Sequence, residues 1–134
     1  MKRLFSLLAF MTFAVFVLAQ DVVYQVKYKY SYDMQKYEYI DSLDYAEGTI
    51  VRLGESAVSI NNERYEVVSK DSETADDKRK TVQYTTHNSK GEEFIICFAH
   101  ELTFPEELAH QVIIFNTSNP YVWQYYITDA GKER

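Results

Sequence analysis

The sequence predicts an all-β protein, an antiparallel up-and-down barrel or strongly curled meander of about eight to nine strands, with a β-sandwich as the alternative. Three observations predict it: apolar residues recur at every second position, short turns separate the strand-like segments, and no long amphipathic helix pattern occurs. The 134 residues, 46% of them apolar, suffice for one domain. Continuous antiparallel order of neighbouring strands favours the barrel over a Greek-key sandwich.

The N-terminal segment has the three-part pattern of a secretory signal peptide. Residues 1–19 begin with Lys2 and Arg3 and continue as an uncharged apolar run that ends at Ala19. This run is shorter than the about 20 residues that a transmembrane helix needs. Gln20 follows the expected cleavage point, so the cysteine of a lipid anchor is absent there. The sequence therefore predicts a signal peptide at 1–19, one β domain at 20–134, and a soluble secreted or periplasmic protein without membrane insertion.

The clearest alternation lies at the start of the domain, in VVYQVKYKYSYD at residues 22–33. Its even positions, from Val22 to Tyr32, are apolar or aromatic, which predicts one strand with an apolar face and a solvent-exposed face. A turn at 33–35 and a second, less regular strand through residues 37–45 follow. Three short strands then extend to residue 67, separated by turns at Gly54-Glu55 and Asn61-Asn62.

The second half of the domain mixes polar and strongly apolar segments. Residues 69–80, SKDSETADDKRK, predict an exposed loop or a short surface helix. FIICFA at 94–99 and QVIIF at 111–115 predict strands buried on both sides, with a helical turn near Pro105 between them. The closing strand, 121–128, places Trp123 on a face that we expect to belong to the core. The polar residues 129–134 are expected to fray.

Three segments carry a resemblance to a known family: GTIVRLGESAVSINNERYEVV (48–68), TVQYTTHNSKGEEFIICF (81–98) and VIIFNTSNPYVWQYYI (112–127). In the spacing of their strands and the placement of their turns, they resemble small exported calycin-like proteins of the lipocalin type. The resemblance implies an antiparallel barrel that holds an apolar ligand. The Gly-x-Trp motif of lipocalins is absent from the first strand, so no functional residue is carried over.

Histidine and cysteine offer one metal-site hypothesis. Cys97 and His100 are three residues apart, with Glu101 and His110 nearby in the sequence. Positions 97 and 100 of a strand point to opposite faces, which separates this pair. The simpler interpretation is a buried, free, slowly reacting Cys97 and no metal site.

Acidic residues and motifs give no catalytic or cofactor signal. Asp71, Glu73, Asp76 and Asp77 lack the glycine and terminal glutamate of an EF-hand loop, and cations follow them directly, so we expect a solvated segment. No G-x-S-x-G, H-E-x-x-H or P-loop occurs, so we predict neither an enzyme nor a cofactor. With 14 basic against 20 acidic residues, nucleic-acid binding is not expected.

Tyrosine is the characteristic residue of the domain, with seven of its twelve copies between Tyr24 and Tyr45. Such an array can cover a sheet face by cross-strand pairing, or it can form a recognition surface. The candidate ligand-binding residues are Tyr24, Tyr28, Tyr30, Tyr37 and Tyr39.

Three functional classes remain open. The first is a non-catalytic exported module that binds a small amphiphilic molecule in a barrel pocket. The second is an exported protein- or glycan-interaction or structural domain with a filled core, and the third is an enzyme. A pocket inside the barrel of about 300 Å³ or more distinguishes the first class from the second.

Overall fold

The structure is a computed structural model that describes residues 21–40, 44, 45 and 48–133. The predicted signal peptide, residues 1–19, lies outside the described residues. The described part of the chain forms eleven strands and one helical turn. They are β1 (Val22–Asp33), β2 (Glu38–Tyr39), β3 (Asp44–Tyr45), β4 (Ile50–Leu53), β5 (Ala57–Ile60), β6 (Glu63–Ala75), β7 (Arg79–His87), β8 (Glu93–Glu101), α1 (Glu106–Ala109), β9 (His110–Asn116), β10 (Val122–Thr128) and β11 (Lys132–Glu133).

Eight of these strands close into an antiparallel barrel in the order β1-β4-β5-β6-β7-β8-β9-β10, and β10 returns to β1. The barrel prediction is confirmed, and the sandwich alternative is wrong. Closure depends on the length of β1, which pairs with β4 through residues 22–25 and with β10 through residues 26–33. The short strands β2, β3 and β11 also pair with β1.

Inward-facing side chains fill the barrel with one continuous apolar cluster. Residues at alternate positions of the eight barrel strands contribute, as the alternation of a pleated strand requires. Its members are Val26, Val51, Val58, Ile60, Tyr65, Ile96, Phe98, Val112, Ile114 and Tyr126, with Tyr24, Leu53, Val67, Tyr84 and Phe94 packed against them. Full burial of one such aliphatic or aromatic side chain contributes about 1.5–3 kcal/mol. This cluster therefore supplies most of the driving force for folding.

The alternation along β1 changes face in the middle of the strand, which corrects the single apolar face expected for residues 22–32. The register with β10 shifts between Val26 and Tyr28. Val26 points into the core, whereas Tyr30 lies beside Tyr125, on the face opposite to buried Tyr126. A β-bulge inserts one extra residue, and one residue is enough to exchange the two faces of a strand.

Residues 69–80 are exposed as expected, but the loop or helix interpretation is wrong. They complete β6 and begin β7, joined by a tight turn. The Asp76 carboxylate accepts hydrogen bonds from the backbone N–H groups of Lys78 at 2.7 Å and Arg79 at 2.8 Å. Both faces of this hairpin are exposed to solvent, so the sequence shows no apolar alternation, and the strands are defined by the backbone ladder and not by burial.

Two further expectations are wrong in the C-terminal half. The segments 94–99 and 111–115 bury one face fully, while outer residues such as Ile95 and Ile113 are half-buried. The polar tail is paired, since Lys132 and Glu133 form β11 against the start of β1. The helical turn expected near Pro105 is present as α1.

Candidate functional site

Six aromatic side chains gather on the outside of the barrel, where β1, β2, β9 and β10 lie side by side. We call them the outer aromatic cluster: Tyr30, Tyr32, Tyr39, Phe115, Trp123 and Tyr125. Strand pairing places Tyr30 opposite Tyr125, and Tyr32 opposite both Trp123 and Tyr39. Tyr30 and Tyr32 join the cluster because they follow the bulge in β1, which turns the later even-numbered residues of that strand outward.

The rings of the cluster form two stacks, Tyr30 with Tyr125 and Phe115 with Trp123, and a third set of edge-on contacts. Tyr30 and Tyr125 stack with centroids 4.8 Å apart and planes 5° apart. Tyr39 stands edge-on against Tyr30 at 5.5 Å and against Tyr32 at 5.0 Å. The Trp123 indole donates a hydrogen bond from Nε1 to the Pro120 carbonyl at 2.8 Å. These contacts hold the rings in one arrangement, which suits a preformed binding surface.

A groove of about 520 Å³ runs beside the cluster. It is lined by Tyr30, Tyr32, Met34, Tyr39, Arg79, Glu101, Phe104, Gln111, Ile113, Trp123 and Tyr125. The groove thus combines aromatic walls with polar groups from β7, β8 and β9. Loop residue Phe104, exposed between β8 and α1, lies on its border.

Arg79 and Glu101 form a two-point ion pair in this groove. The guanidinium Nη2 lies 3.1 Å from Glu101 Oε1, and Nε donates to Oε2 at 3.2 Å. Glu101 is buried although it is charged, and the planar fork of the arginine satisfies both of its oxygens. The ion pair holds the guanidinium donors of Arg79 and the carboxylate acceptor of Glu101 at fixed positions in the groove.

Burial changes the acidity of two tyrosines of the groove, Tyr30 and Tyr125. Burial raises the pKa of Tyr30 to about 12, with smaller contributions from Tyr125 and Tyr39. Burial also raises the pKa of Tyr125, and the nearby Arg79 opposes that increase. The shift makes deprotonation of these two hydroxyl groups harder still than in an ordinary tyrosine, so they act as neutral donors and acceptors beside the Arg79–Glu101 ion pair.

Cys97 and Trp123 both lie on the outer face, which corrects two expectations. Cys97 pairs in register with Ile113 and is half-buried rather than buried. Burial nevertheless raises the pKa of its thiol, which disfavours the reactive thiolate. Trp123 alternates with inward-facing neighbours and belongs to the outer aromatic cluster, so the core assignment was wrong.

The five tyrosines singled out from the sequence separate into different places. Tyr30 and Tyr39 meet in the outer aromatic cluster. Tyr24 packs on Phe98 at the edge of the core, with ring centroids 5.5 Å apart. Tyr37 is exposed in the turn after β1, and Tyr28 lines a separate cleft of about 610 Å³.

Sequence reasoning missed the partners that complete the groove, among them Arg79, Glu101 and Tyr125. Arg79 and Glu101 are neighbours only through the register of β7 and β8. A long-range register carries no signal in a single sequence. The available signal in the sequence was the apolar character of outward-facing residues in β8 and β9, because such residues indicate that other side chains cover the outer face of these strands.

At one end of the barrel, two histidines lie directly opposite each other. His100 of β8 and His110 of β9 are register partners, and their rings stack with centroids 4.2 Å apart. Glu106 of α1 approaches His110, with Oε1 3.4 Å from Nε2. The ligand atoms of these three residues lie within 4.8 Å of one another. Cys97 and Glu101, which the sequence hypothesis grouped with them, face the other side of the sheet.

The pocket at this end measures about 270 Å³. It is lined by Tyr24, Lys80, Val82, Phe98, Ala99, His100, His110, Gln111, Thr128 and Ala130. It lies just below the volume of about 300 Å³ at which ligand pockets begin. Side chains of the apolar cluster occupy the barrel beyond it.

The acidic residues of the β6–β7 hairpin have local roles. Asp71 accepts hydrogen bonds from Ser69 and Thr85, and Asp76 closes the turn. Glu73 pairs with Lys70 at 3.0 Å. Within the described part of the chain, none of these carboxylates belongs to a group with metal-ligand spacing.

The chain matches no protein-family model, no curated protein and no solved structure. The resemblance to lipocalin-type proteins therefore stays a prediction, and the function has to be argued from the geometry. None of the helical segments among the described residues has the length and apolar character to cross a membrane.

Proposed function

We propose that this protein is an exported, non-catalytic binding module that recognises carbohydrate chains through the groove beside the outer aromatic cluster. The observation that carries the proposal is the placement of six aromatic side chains and the Arg79–Glu101 pair around one outer groove. The signal-peptide pattern of residues 1–19 supports export.

The filled interior favours an outer binding surface over a ligand in the lumen. Large side chains such as Tyr65, Phe98 and Tyr126 meet inside the barrel. The pocket at the histidine end is about half the size of the outer groove. A small amphiphilic ligand inside the barrel would have to displace core side chains, at about 1–3 kcal/mol or more for each forced rearrangement.

The chemistry of the groove suits sugars. A pyranose ring has an apolar face of C–H groups, which packs on aromatic rings, and hydroxyl groups that both donate and accept hydrogen bonds. Tyr39 and Trp123 offer the aromatic surface. Arg79, Glu101 and Gln111 provide guanidinium donors, carboxylate acceptors and an amide at the same groove. The phenol groups of Tyr30 and Tyr125 add further neutral donors and acceptors to this set.

The size of the groove favours an oligosaccharide over a protein partner. Eleven residues line it, whereas a stable protein interface takes about 20–30 residues from each side. Its volume of about 520 Å³ falls in the ordinary range of small-ligand sites, about 300–1,000 Å³.

Tryptophan fluorescence tests this proposal directly, because Trp123 is the single tryptophan of the sequence and lines the groove. The protein is titrated with cello-, xylo-, manno- and malto-oligosaccharides. We expect a saturable fluorescence change with at least one series. A flat signal with every series, together with no retardation in gels containing the corresponding polysaccharides, would refute carbohydrate binding.

Two matched substitutions locate the binding surface. Tyr39 is 67% exposed and lines the groove, whereas Tyr121 is 52% exposed and lies outside its lining. We expect Tyr39→Ala to weaken binding about tenfold, since an aromatic contact contributes about 0.5–1.5 kcal/mol beyond its buried area. Tyr121→Ala should leave the affinity unchanged. Equal affinities of both variants and the unsubstituted protein would place the binding site elsewhere.

A further inference from the structure

We propose that His100, His110 and Glu106 form a binding site for a divalent transition metal, with Zn²⁺ as the best-fitting ion, at the end of the barrel. The inference is independent of the carbohydrate groove. It rests on the strand register, on the separation of the three side chains and on the chemistry of the donor set.

Two structural elements bring the donors together. His100 and His110 face each other across the β8–β9 ladder, on the side of the sheet that also carries Phe98 and Val112. The single turn α1 links the two strands, and His110 follows it as the first residue of β9, with its Nε2 3.4 Å from Glu106 Oε1. The backbone thus presents all three donors without any further ordering of the chain.

The donor separations are close to those of a tetrahedral zinc site. Zn–N and Zn–O bonds of about 2.0–2.1 Å place two ligand atoms of a tetrahedron about 3.4 Å apart. His110 Nε2 and Glu106 Oε1 are already 3.4 Å apart. No two ligand atoms of the group are more than 4.8 Å apart, so modest side-chain rotation closes the remaining gap.

The donor set is one that zinc accepts. Two imidazoles and one carboxylate make a three-ligand site that leaves the fourth tetrahedral position open to water or to an exogenous ligand. Imidazole also suits Co²⁺ and Ni²⁺, which makes cobalt a usable spectroscopic substitute. Calcium and magnesium prefer all-oxygen sites and are not expected to bind here.

The surroundings both protect the site and limit its affinity. The His110 side chain is only 15% exposed, whereas that of Glu106 is 78% exposed and leaves an approach from solvent. Lys80 pairs with His100 across the β7–β8 ladder and lines the same pocket. Its ammonium group opposes a bound dication, so we expect an affinity in the micromolar range and not that of a structural zinc site.

Calorimetric titration of the metal-free protein with ZnCl₂ tests the site. We expect one zinc ion per chain. Titration with CoCl₂ should produce the intense visible absorption of tetrahedral cobalt. No heat of zinc binding, or binding of several ions without a defined stoichiometry, would overturn the proposal.

Substitutions identify the ligands. His100→Gln and His110→Gln should each weaken zinc binding at least tenfold. Glu106→Gln should weaken it about tenfold, and because Glu106 is exposed this variant is expected to fold normally. The control is His87→Gln. His87 also faces a carboxylate, with Nε2 3.7 Å from Glu93 Oε2, but it lies at the other end of β7 from Lys80. His87→Gln should not change the affinity for zinc.

Two further measurements guard against misfolded variants. Zinc should raise the thermal midpoint of the unsubstituted protein and of His87→Gln, but not that of His110→Gln, because only a folded-state site stabilises by mass action. Lys80→Met should bind zinc several-fold more tightly, since it removes the opposing charge. Zinc binding that survives both His100→Gln and His110→Gln, or that depends on His87, would overturn the assignment.

Discussion

Trp123 stacks on Phe115 on the outer face of the barrel, with ring centroids 4.9 Å apart and ring planes 7° apart. The two residues occupy neighbouring strands, β10 and β9, on the face opposite to the core residues Tyr126 and Ile114. The largest side chain of the protein therefore stabilises the sheet from outside, while the core lies beneath it.

Trp123→Ala is expected to lower the free energy of unfolding by about 2 kcal/mol. A fully buried aromatic residue costs about 3–5 kcal/mol when truncated, and Trp123 is only half-buried, although it loses a stacked partner as well. Trp123→Phe keeps a stacked ring and should cost less than half as much. Urea unfolding measures both. A loss of cooperative unfolding in Trp123→Ala would mean that the residue belongs to the core.

Two valines give a matched test of the core. Val58 is fully buried in the apolar cluster, whereas Val68 on β6 is exposed. Val58→Ala should lower the free energy of unfolding by about 2–3 kcal/mol, from two buried methyl-sized groups at about 0.8 kcal/mol each plus a cavity. Val68→Ala should stay within about 0.5 kcal/mol of the unsubstituted protein. Similar losses at both positions, measured in urea, would contradict the inward and outward assignment.

Two glycines with nearly the same positive φ isolate a close contact in the C-terminal tail. Gly91 and Gly131 have φ values of 78° and 79°. A Cβ at Gly131 would lie 2.6 Å from Tyr24 Cε1, whereas a Cβ at Gly91 would meet nothing within 4 Å. Gly91→Ala should therefore cost about 1–2 kcal/mol from backbone strain alone. Gly131→Ala should cost about 1–3 kcal/mol more, because the Tyr24 ring is packed on the core.

Equal thermal midpoints of the two glycine variants would show that the segment before β11 does not rest against Tyr24. In that case the tail would fray, as its polar composition suggested.

Stability should fall at alkaline pH because of buried tyrosines. Burial raises the pKa of both Tyr30 and Tyr65 from 10.0 to about 12. Between those two values the unfolded chain releases phenolic protons that the folded protein retains, so the free energy of unfolding decreases as the pH rises. Below pH 10 both states are protonated, and the full stability is present. Urea midpoints at pH 8, 10 and 11.5 measure the effect.

Tyr65→Phe provides the control for this pH dependence. It removes one of the titrating groups, so its midpoint should fall less between pH 10 and 11.5 than that of the unsubstituted protein. A midpoint that is constant over this interval in the unsubstituted protein would contradict the burial of these phenols.

Local rules were enough to predict several elements. Asn61-Asn62 forms the expected turn, with Asn61 at φ 54°, because asparagine tolerates the left-handed region. Asp33 begins the expected turn after β1, and its carboxylate accepts from the N–H groups of Gln35 and Lys36. Period-two apolar patterning likewise predicted the antiparallel strands, although their closure into a barrel depends on the pairing of β1 with β10. These features depend on neighbours within a few residues, so a single sequence contains them.

The candidate sites were predicted only in part, since each depends on contacts between distant segments. Tyr30 was singled out from the sequence, but its stacking partner Tyr125 is 95 positions away and meets it only through the β1–β10 ladder. The sequence grouped His100 and His110 with Cys97 and Glu101 in one hypothesis and separated Cys97 by strand alternation, but it did not indicate Glu106, which α1 brings to His110.

By itself, the sequence determined the strand-forming character of the chain, its short turns and its tyrosine-rich composition, because alternation and turn chemistry are local properties. The tertiary structure alone decided which residues face outward together. One extra residue in β1, between Val26 and Tyr28, exchanges the faces of the strand and moves its later tyrosines from the core side to the surface. The physical reason is that a bulge and a strand register are selected by packing against strands far along the chain, and no local preference encodes that choice.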